Sequence, residues 1–205
     1  MFPGMILGAH IILTAYGFWF PNEARGSWSD FVRSWELFRF GPATKVETRR
    51  SVAGKPYDRH RRKQMQDTLS HPPVSFNGRQ ALAIARGFAA EVKHGGCDLY
   101  ACSILPEHVH LVAGRHDYDF EKLINRLKGS ATRMLSSHGL HPFAGQPYRD
   151  GSLPTPWTRK WWKVYLDSPE DMRRAIAYTE GNPAKEGKRV QKWPFVAPYS
   201  GPSPF

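Results

Sequence analysis

Leu105-Pro106-Glu107-His108-Val109-His110-Leu111-Val112 decides how this chain is read. Two imidazoles one residue apart point the same way only on a strand, where side chains repeat every second position. Val109 then faces the other side and suits a core. Two neutral imidazoles on one face can hold a divalent cation, and a cation held by few protein groups keeps open positions for a phosphate oxygen. The stretch therefore points to a strand, and the strand to chemistry on a phosphodiester.

The neighbouring sequence builds a frame around that strand. Residues 98–104 read as a second strand, and the short connection through Pro106 makes the two an antiparallel pair with 108–113. Residues 79–94 predict a helix with Leu82, Ala85, Phe88, Ala89 and Val92 as its apolar stripe, stopped at Gly95-Gly96. Residues 118–137 predict the clearest helix, with Phe120, Leu123, Ile124, Leu127, Ala131, Met134 and Leu135 at helical spacing. Lys122, Arg126 and Arg133 form its second stripe, with Lys128 at the edge. On a helix beside a metal site these cations would grip a phosphate backbone without reading bases; an ordinary solvated face is the alternative for each.

Further out, residues 6–20 are apolar and β-branched and read as a buried first strand. They lack a basic leader region and are interrupted by glycines and His10, so neither a signal peptide nor a membrane span is expected. Residues 21–78 read as a loop-rich insertion with a turn at 21–23, a short helix near 29–38 and basic clusters at Arg49-Arg50 and at 59–63. Residues 139–156 read as loop and 161–166 as a strand. Arg159, Lys160 and Lys163 place more positive charge there. Ser168-Pro169-Glu170-Asp171 is a strong helix start, with a hydroxyl cap, proline in the first turn and acids at the positive end of the dipole. Gly181-Asn182-Pro183 is expected to end that helix, and the aromatic tail at about 190–205 to pack as an extended segment. The fold expected is α+β: one domain over 1–205 with a ferredoxin-like antiparallel sheet, the histidines on a central strand and helices packed on it.

Composition agrees with a protein that folds and meets a polyanion. The 205 residues are 40% hydrophobic, with 7 Trp, 12 Phe and 8 Tyr, and the formal net charge is +11. That excess of positive charge fits nucleic acid. Trp28, Trp35 and Trp157 are candidates for stacking on bases, with core packing the competing role for each. The two cysteines, Cys97 and Cys102, fall on opposite faces by spacing and are expected unpaired, which suits a reducing cytoplasm and excludes a disulfide framework.

Tyr178 and Asn182 lie four residues apart and share one helix face if the helix persists that far. A phenol can attack phosphorus and form a covalent phosphotyrosine, and a cation polarising the phosphate offsets its weak nucleophilicity at neutral pH. Alone, Tyr178 reads equally as a packing aromatic and Asn182 as a helix C-terminal residue.

Residues 105–111 together resemble the histidine motif of the HUH single-strand nucleases. Ala177-Tyr178-Thr179-Glu180-Gly181-Asn182-Pro183 resembles the tyrosine motif of their single-tyrosine transposase branch, most nearly the REP-associated tyrosine transposases. The likeness covers about residues 80–195 and the first strand; Thr179 stands where the family has a bulky apolar residue. The resemblance implies that His108, His110 and Asn182 ligate Mg²⁺ or Mn²⁺ and that Tyr178 is the nucleophile, leaving a 5′-phosphotyrosine and a free 3′-hydroxyl. It implies single-stranded, hairpin-forming DNA as substrate, a cytoplasmic, nucleoid-associated protein, and a monomer or a homodimer. A hairpin-binding relative without turnover and a nuclease using activated water are the other readings. The single His-x-His motif argues against a two-histidine cyclic phosphodiesterase, whose site needs two.

Overall fold

The alternation that the histidines demand is present in the computed structural model, which describes residues 6–21, 35–41 and 58–201. The chain divides into two units, one formed by residues 1–15 and 75–205 and the other by 16–74.

In the first unit four strands form one antiparallel sheet: β1 (Gly8–Ala15), β2 (Leu99–Ile104), β3 (His108–Gly114) and β4 (Trp157–Leu166), in the order β2-β3-β1-β4. With α2 (Gly78–Gly95) between β1 and β2 and α3 (Phe120–Ser137) between β3 and β4, this is the interleaved ferredoxin-like arrangement. The fold is α+β, and the histidines stand on an inner strand. A last helix, α4 (Pro169–Lys185), follows β4.

Register assigns each side chain to a face. Ile12 lies opposite both His110 and Trp162, Thr14 opposite His108, and Ser103 opposite His110. Directly opposed residues share a face, so these line one side of the sheet. Ala101, Val112 and Leu166 continue that side and pack with Met172 and Ala175 of α4. The other side carries Ala9, Ile11, Leu13, Val109, Leu111 and Ala113, all fully buried, as are Ile84, Phe88, Leu123, Ile124, Leu127 and Ala131 of α2 and α3. α2 and α3 touch closely at Gly87, where an added Cβ would sit 2.6 Å from the Ala131 Cα.

Several boundaries differ from expectation. The first strand spans Gly8–Ala15 rather than 6–20, because the chain turns at Tyr16-Gly17, with Gly17 at φ +77°. α3 begins at Phe120, since Asp119 caps it by accepting from the Lys122 amide. β4 starts at Trp157, four residues earlier than expected, with a bulge against Leu13–Ala15. Leu82 is 46% exposed; the buried side of α2 is centred on Ile84 and Phe88, rotated by the close approach at Gly87. The Ser168 cap is as expected, accepting from the Asp171 amide at 3.1 Å. The stop at 181–183 is not: α4 runs through Gly181-Asn182-Pro183 to Lys185. Proline interrupts a helix by removing one donor and crowding the preceding turn. Here it sits two residues from the end, where little helix remains to disrupt.

The tail lies along β2, with the Ala197 amide donating to the Leu99 carbonyl at 2.8 Å and the Gln191 side chain bonding both backbone groups of Ile104 at 2.7 Å. Cys97 and Cys102 are buried and free.

The second unit contains a short 3₁₀ turn (Trp35–Phe40) and α1 (Arg59–Thr68), capped by Asp58. Phe20, Leu37 and Met65 form its apolar cluster. The basic run 59–63 belongs to α1, where Arg62 stacks on Phe20 and Arg61 donates to the Phe40 carbonyl. The expected helix near 29–38 falls largely outside the described residues; what is described is the turn from Trp35. Arg49-Arg50 and Trp28 also lie outside them.

Candidate active site

The site grows from β3. Strand alternation puts His108 and His110 on the α4 side of the sheet, their ring centroids 5.0 Å apart. α4 crosses that side, and because it continues to Lys185 it brings Tyr178 and Asn182 over the same strands. The Tyr178 ring lies 5.6 Å from that of His110, edge to face, while Tyr178 stays 45% exposed. Ring contacts thus join Tyr178 to His110 and His110 to His108, and Asn182 is buried one turn further along the same helix.

Four further residues belong here and were not singled out from sequence. His10 of β1 is buried, with Nε2 3.1 Å from Nδ1 of His110 and its ring 5.7 Å from Tyr178. Trp162 of β4 meets His10 edge-on at 5.6 Å. The Lys185 ammonium sits 4.3 Å from the centre of the Tyr178 ring. Glu186, the C-cap of α4, has Oε1 3.4 Å from Nε2 of His108. Lys185 and Glu186 follow Tyr178 by seven and eight residues, two helical turns, so a helix extended past Pro183 was the signal for both.

Burial sets the protonation of this cluster. His110 is pushed down to about 2, first by desolvation and then by its neighbours His108, His10 and Lys185. Burial alone lowers His10 to about 4. Both rings are therefore neutral at physiological pH, the form in which an imidazole can donate a lone pair to a metal.

The donor set fits a divalent cation as an incomplete shell. Among the described residues no group of three or more His, Cys, Asp or Glu side chains is arranged to hold a metal ion. The donor types present, two imidazoles with the Glu186 carboxylate beside His108 and a buried amide at Asn182 on the same helix, are ones that Mn²⁺ and, less readily, Mg²⁺ accept. Two buried hydroxyls on these elements, Ser103 Oγ across from His110 and Thr179 Oγ1 beside Tyr178, have no hydrogen-bond partner among the described residues. Buried polar atoms without partners are uncommon and mark places where a ligand or bound water belongs.

The cations expected to grip DNA do not gather at this site. Lys128 is buried, with Nζ donating to the Thr158 carbonyl at 2.8 Å and lying 5.2 Å from the Trp161 ring; burial lowers it to about 8. It is a core lysine and not a surface contact. Arg126 is ion-paired with buried Glu91. Lys122, Arg126 and Arg133 line a shallow groove on α3 together with Glu91, Asp119 and Glu121. Lys128 joins α3 to Trp161, the neighbour of Trp162 and so on the opposite face. The sheet therefore separates the α3 stripe from the histidines, correcting the expectation that this helix flanks the site. On β4 the same alternation puts Lys163, which lies opposite Ile11, on the side away from the histidines, while Arg159 and Lys160 fall within the bulge and are exposed. Trp157 is buried, with Nε1 donating to Thr132 Oγ1 at 3.1 Å, so it packs the core and is closed to bases. The Trp35 side chain lies outside the described residues. No described helix is long and apolar enough to cross a membrane.

No protein-family model matches this chain. No curated protein matches it. Among solved structures it is similar to a REP-associated tyrosine transposase bound to a REP hairpin, at 16% identity and TM-score 0.46 over 95% of this chain and 79% of that one. It is also similar to a candidate transposase from Deinococcus radiodurans R1, at 16% identity and TM-score 0.35 over 93% and 97% of the two chains.

Proposed function

We propose that this protein is a metal-dependent single-stranded DNA endonuclease and strand transferase of the single-tyrosine transposase type. It would cleave and rejoin hairpin-forming DNA through a 5′-phosphotyrosine. The observation that carries the reading is an exposed phenol held against two buried neutral imidazoles, with the Tyr178 ring 5.6 Å from His110 and 5.7 Å from His10. A packing tyrosine would be buried; this one is 45% exposed and lies against polar groups that burial keeps uncharged.

His108, His110 and Asn182 are the residues that would hold Mg²⁺ or Mn²⁺. When bound, the cation supplies electrophilic activation of the scissile phosphate and stabilises the charge that develops on it. The chain's own groups do the rest. The Tyr178 oxygen attacks phosphorus, the phenolic proton passes to solvent, and the bond from phosphorus to the 3′ oxygen breaks. That oxygen leaves and is protonated as a free 3′-hydroxyl, while the 5′-phosphate stays on the tyrosine. Reversal by another 3′-hydroxyl rejoins the strand without an external energy source. Lys185, over the Tyr178 ring, supplies positive charge on the histidine side, where flanking phosphates would lie.

The hairpin preference rests on the motif resemblance of residues 105–111 and 177–183. It is tested by offering oligonucleotides that do and do not fold back. With Mn²⁺ or Mg²⁺ and a cleavable hairpin, a denaturation-resistant protein–DNA adduct is expected, absent in EDTA and absent in Tyr178→Phe. Cleavage of equal yield in that variant, releasing a free 5′-phosphate, points to activated water instead. Hairpin binding without cleavage under either metal points to a binding protein.

A further inference from the structure

β1 brings a third imidazole to the site, from a position 98 residues before the His-x-His pair. His10 lies opposite Val112, and His110 precedes Val112 by two, so the two histidines are diagonal neighbours across the β1–β3 ladder. Diagonal pairs are within reach of aromatic rings. The rings stack at 5.3 Å with 19° between their planes, and His10 Nε2 meets His110 Nδ1 at 3.1 Å. Trp162 and Tyr178 contact His10 edge-on at 5.6 and 5.7 Å, which limits how its ring can turn.

This contact decides what His110 can do. A neutral imidazole carries one N–H and one lone pair, and the hydrogen bond made by one nitrogen fixes the role of the other. His110 has its Nδ1 committed to His10, so only Nε2 remains for a ligand. If His10 donated to Nδ1, the His110 proton would sit on Nε2 and no lone pair would face a cation. If His110 donates from Nδ1 to His10 Nε2, its Nε2 lone pair is free.

We propose that His10 is a positioning residue, which accepts a hydrogen bond from the Nδ1–H of His110 and thereby fixes that ring in the tautomer and orientation that can ligate a divalent cation. The role rests on the metal-dependent reading above. Partners of this kind are usually carboxylates, backbone carbonyls or water, and their loss weakens metal binding by about 10–100-fold. Here a neutral imidazole from the neighbouring strand does this, and no ion pair is created at a site that must receive a polyanion.

Two substitutions separate positioning from packing. His10→Phe keeps an aromatic ring between Trp162 and Tyr178 and removes the acceptor; His10→Gln keeps an acceptor at the distance of Nε2. Imidazole ¹⁵N spectra of the metal-free protein are expected to show His110 protonated at Nδ1 in the parent and in His10→Gln, and shifted toward the Nε2-protonated form in His10→Phe. Direct Mn²⁺ titration, with no DNA present, is expected to give a dissociation constant raised about 10–100-fold by His10→Phe and largely restored by His10→Gln. Thermal unfolding in EDTA checks that each variant folds. A parent spectrum with His110 protonated at Nε2, or His10→Phe binding Mn²⁺ as tightly as the parent, overturns the proposal. Equal weakening by Gln and Phe does so as well. His110→Ala separates the two layers. If it binds Mn²⁺ like the parent, the metal reading itself has failed. If it loses Mn²⁺ while His10→Phe does not, only the positioning role has.

Discussion

Lowering the pH from 7 to 5 should destabilise this protein through the histidine cluster, by an amount that follows from burial. In the unfolded chain each imidazole takes up a proton near pH 6.5. In the folded chain His10 does so only near 4 and His110 only near 2. Both folded values lie below the unfolded one, so the contribution is intact above about 6.5 and is lost as pH falls below it. Each such proton costs about 1.4 kcal/mol per pH unit, so at pH 5 each imidazole removes about 2 kcal/mol and the pair about 4 kcal/mol. That is a large part of the roughly 5–15 kcal/mol that holds a typical domain together. His116 and His141, also lowered by burial, act in the same direction. Urea unfolding followed by circular dichroism in EDTA, at several values between pH 7 and 5, measures the effect. His10→Gln/His110→Gln isolates it, since its stability should fall with pH more gently by nearly two protons. A parent chain equally stable at pH 5 and 7, or a double variant with the parent's pH dependence, would refute the reasoning.

Other consequences follow from the packing and from the faces of the sheet. Gly87→Ala puts a Cβ within 2.6–2.8 Å of Ala131 and Ser130 backbone atoms, forcing α2 and α3 apart. A net loss of about 1–3 kcal/mol is expected in urea unfolding despite the better helix propensity of alanine, and a variant as stable as the parent would contradict the close approach. Lys185→Ala should reduce the salt dependence of single-stranded DNA binding by about one phosphate contact, whereas Lys122→Ala, on the far side of the sheet, should leave it unchanged; the reverse pattern would relocate the DNA path to α3. Gln191→Ala removes two hydrogen bonds to the Ile104 backbone and should loosen the tail, seen as faster amide exchange at Ile104 and Ala197. Unchanged exchange there would contradict a tail held by Gln191.

The sheet was legible because His108-Val109-His110 can present both imidazoles together only at a period of two, and because hairpin and helix signals flank it on both sides. The Tyr178–Asn182 face was legible because four residues make about one turn. His10 was hidden inside an apolar run. Nothing in its local pattern pairs it with residue 110; only the strand order β3-β1 and the register do. Lys185 and Glu186 were hidden by Gly181-Asn182-Pro183, a sequence that ordinarily ends a helix and here sits within its last turn. The α3 stripe shows the limit of periodicity. Helical spacing identifies Lys122, Arg126 and Arg133 as one face, but which side of the sheet receives that helix is set by packing, through residues such as Gly87 and Ala131. Lys128, at the stripe's edge, was drawn into the core where the Thr158 carbonyl accepts its proton and Trp161 covers its ammonium.

The central claim is that the exposed phenol on α4 attacks phosphorus beside the paired imidazoles, and one measurement meets it directly. The protein is incubated with Mn²⁺ and a single-stranded hairpin substrate, digested, and its peptides are weighed by mass spectrometry. The account predicts nucleotide mass on the peptide containing Tyr178, through a 5′-phosphate and only when metal is present. Cleaved DNA with no nucleotide on Tyr178, or with the nucleotide on another residue, would contradict it.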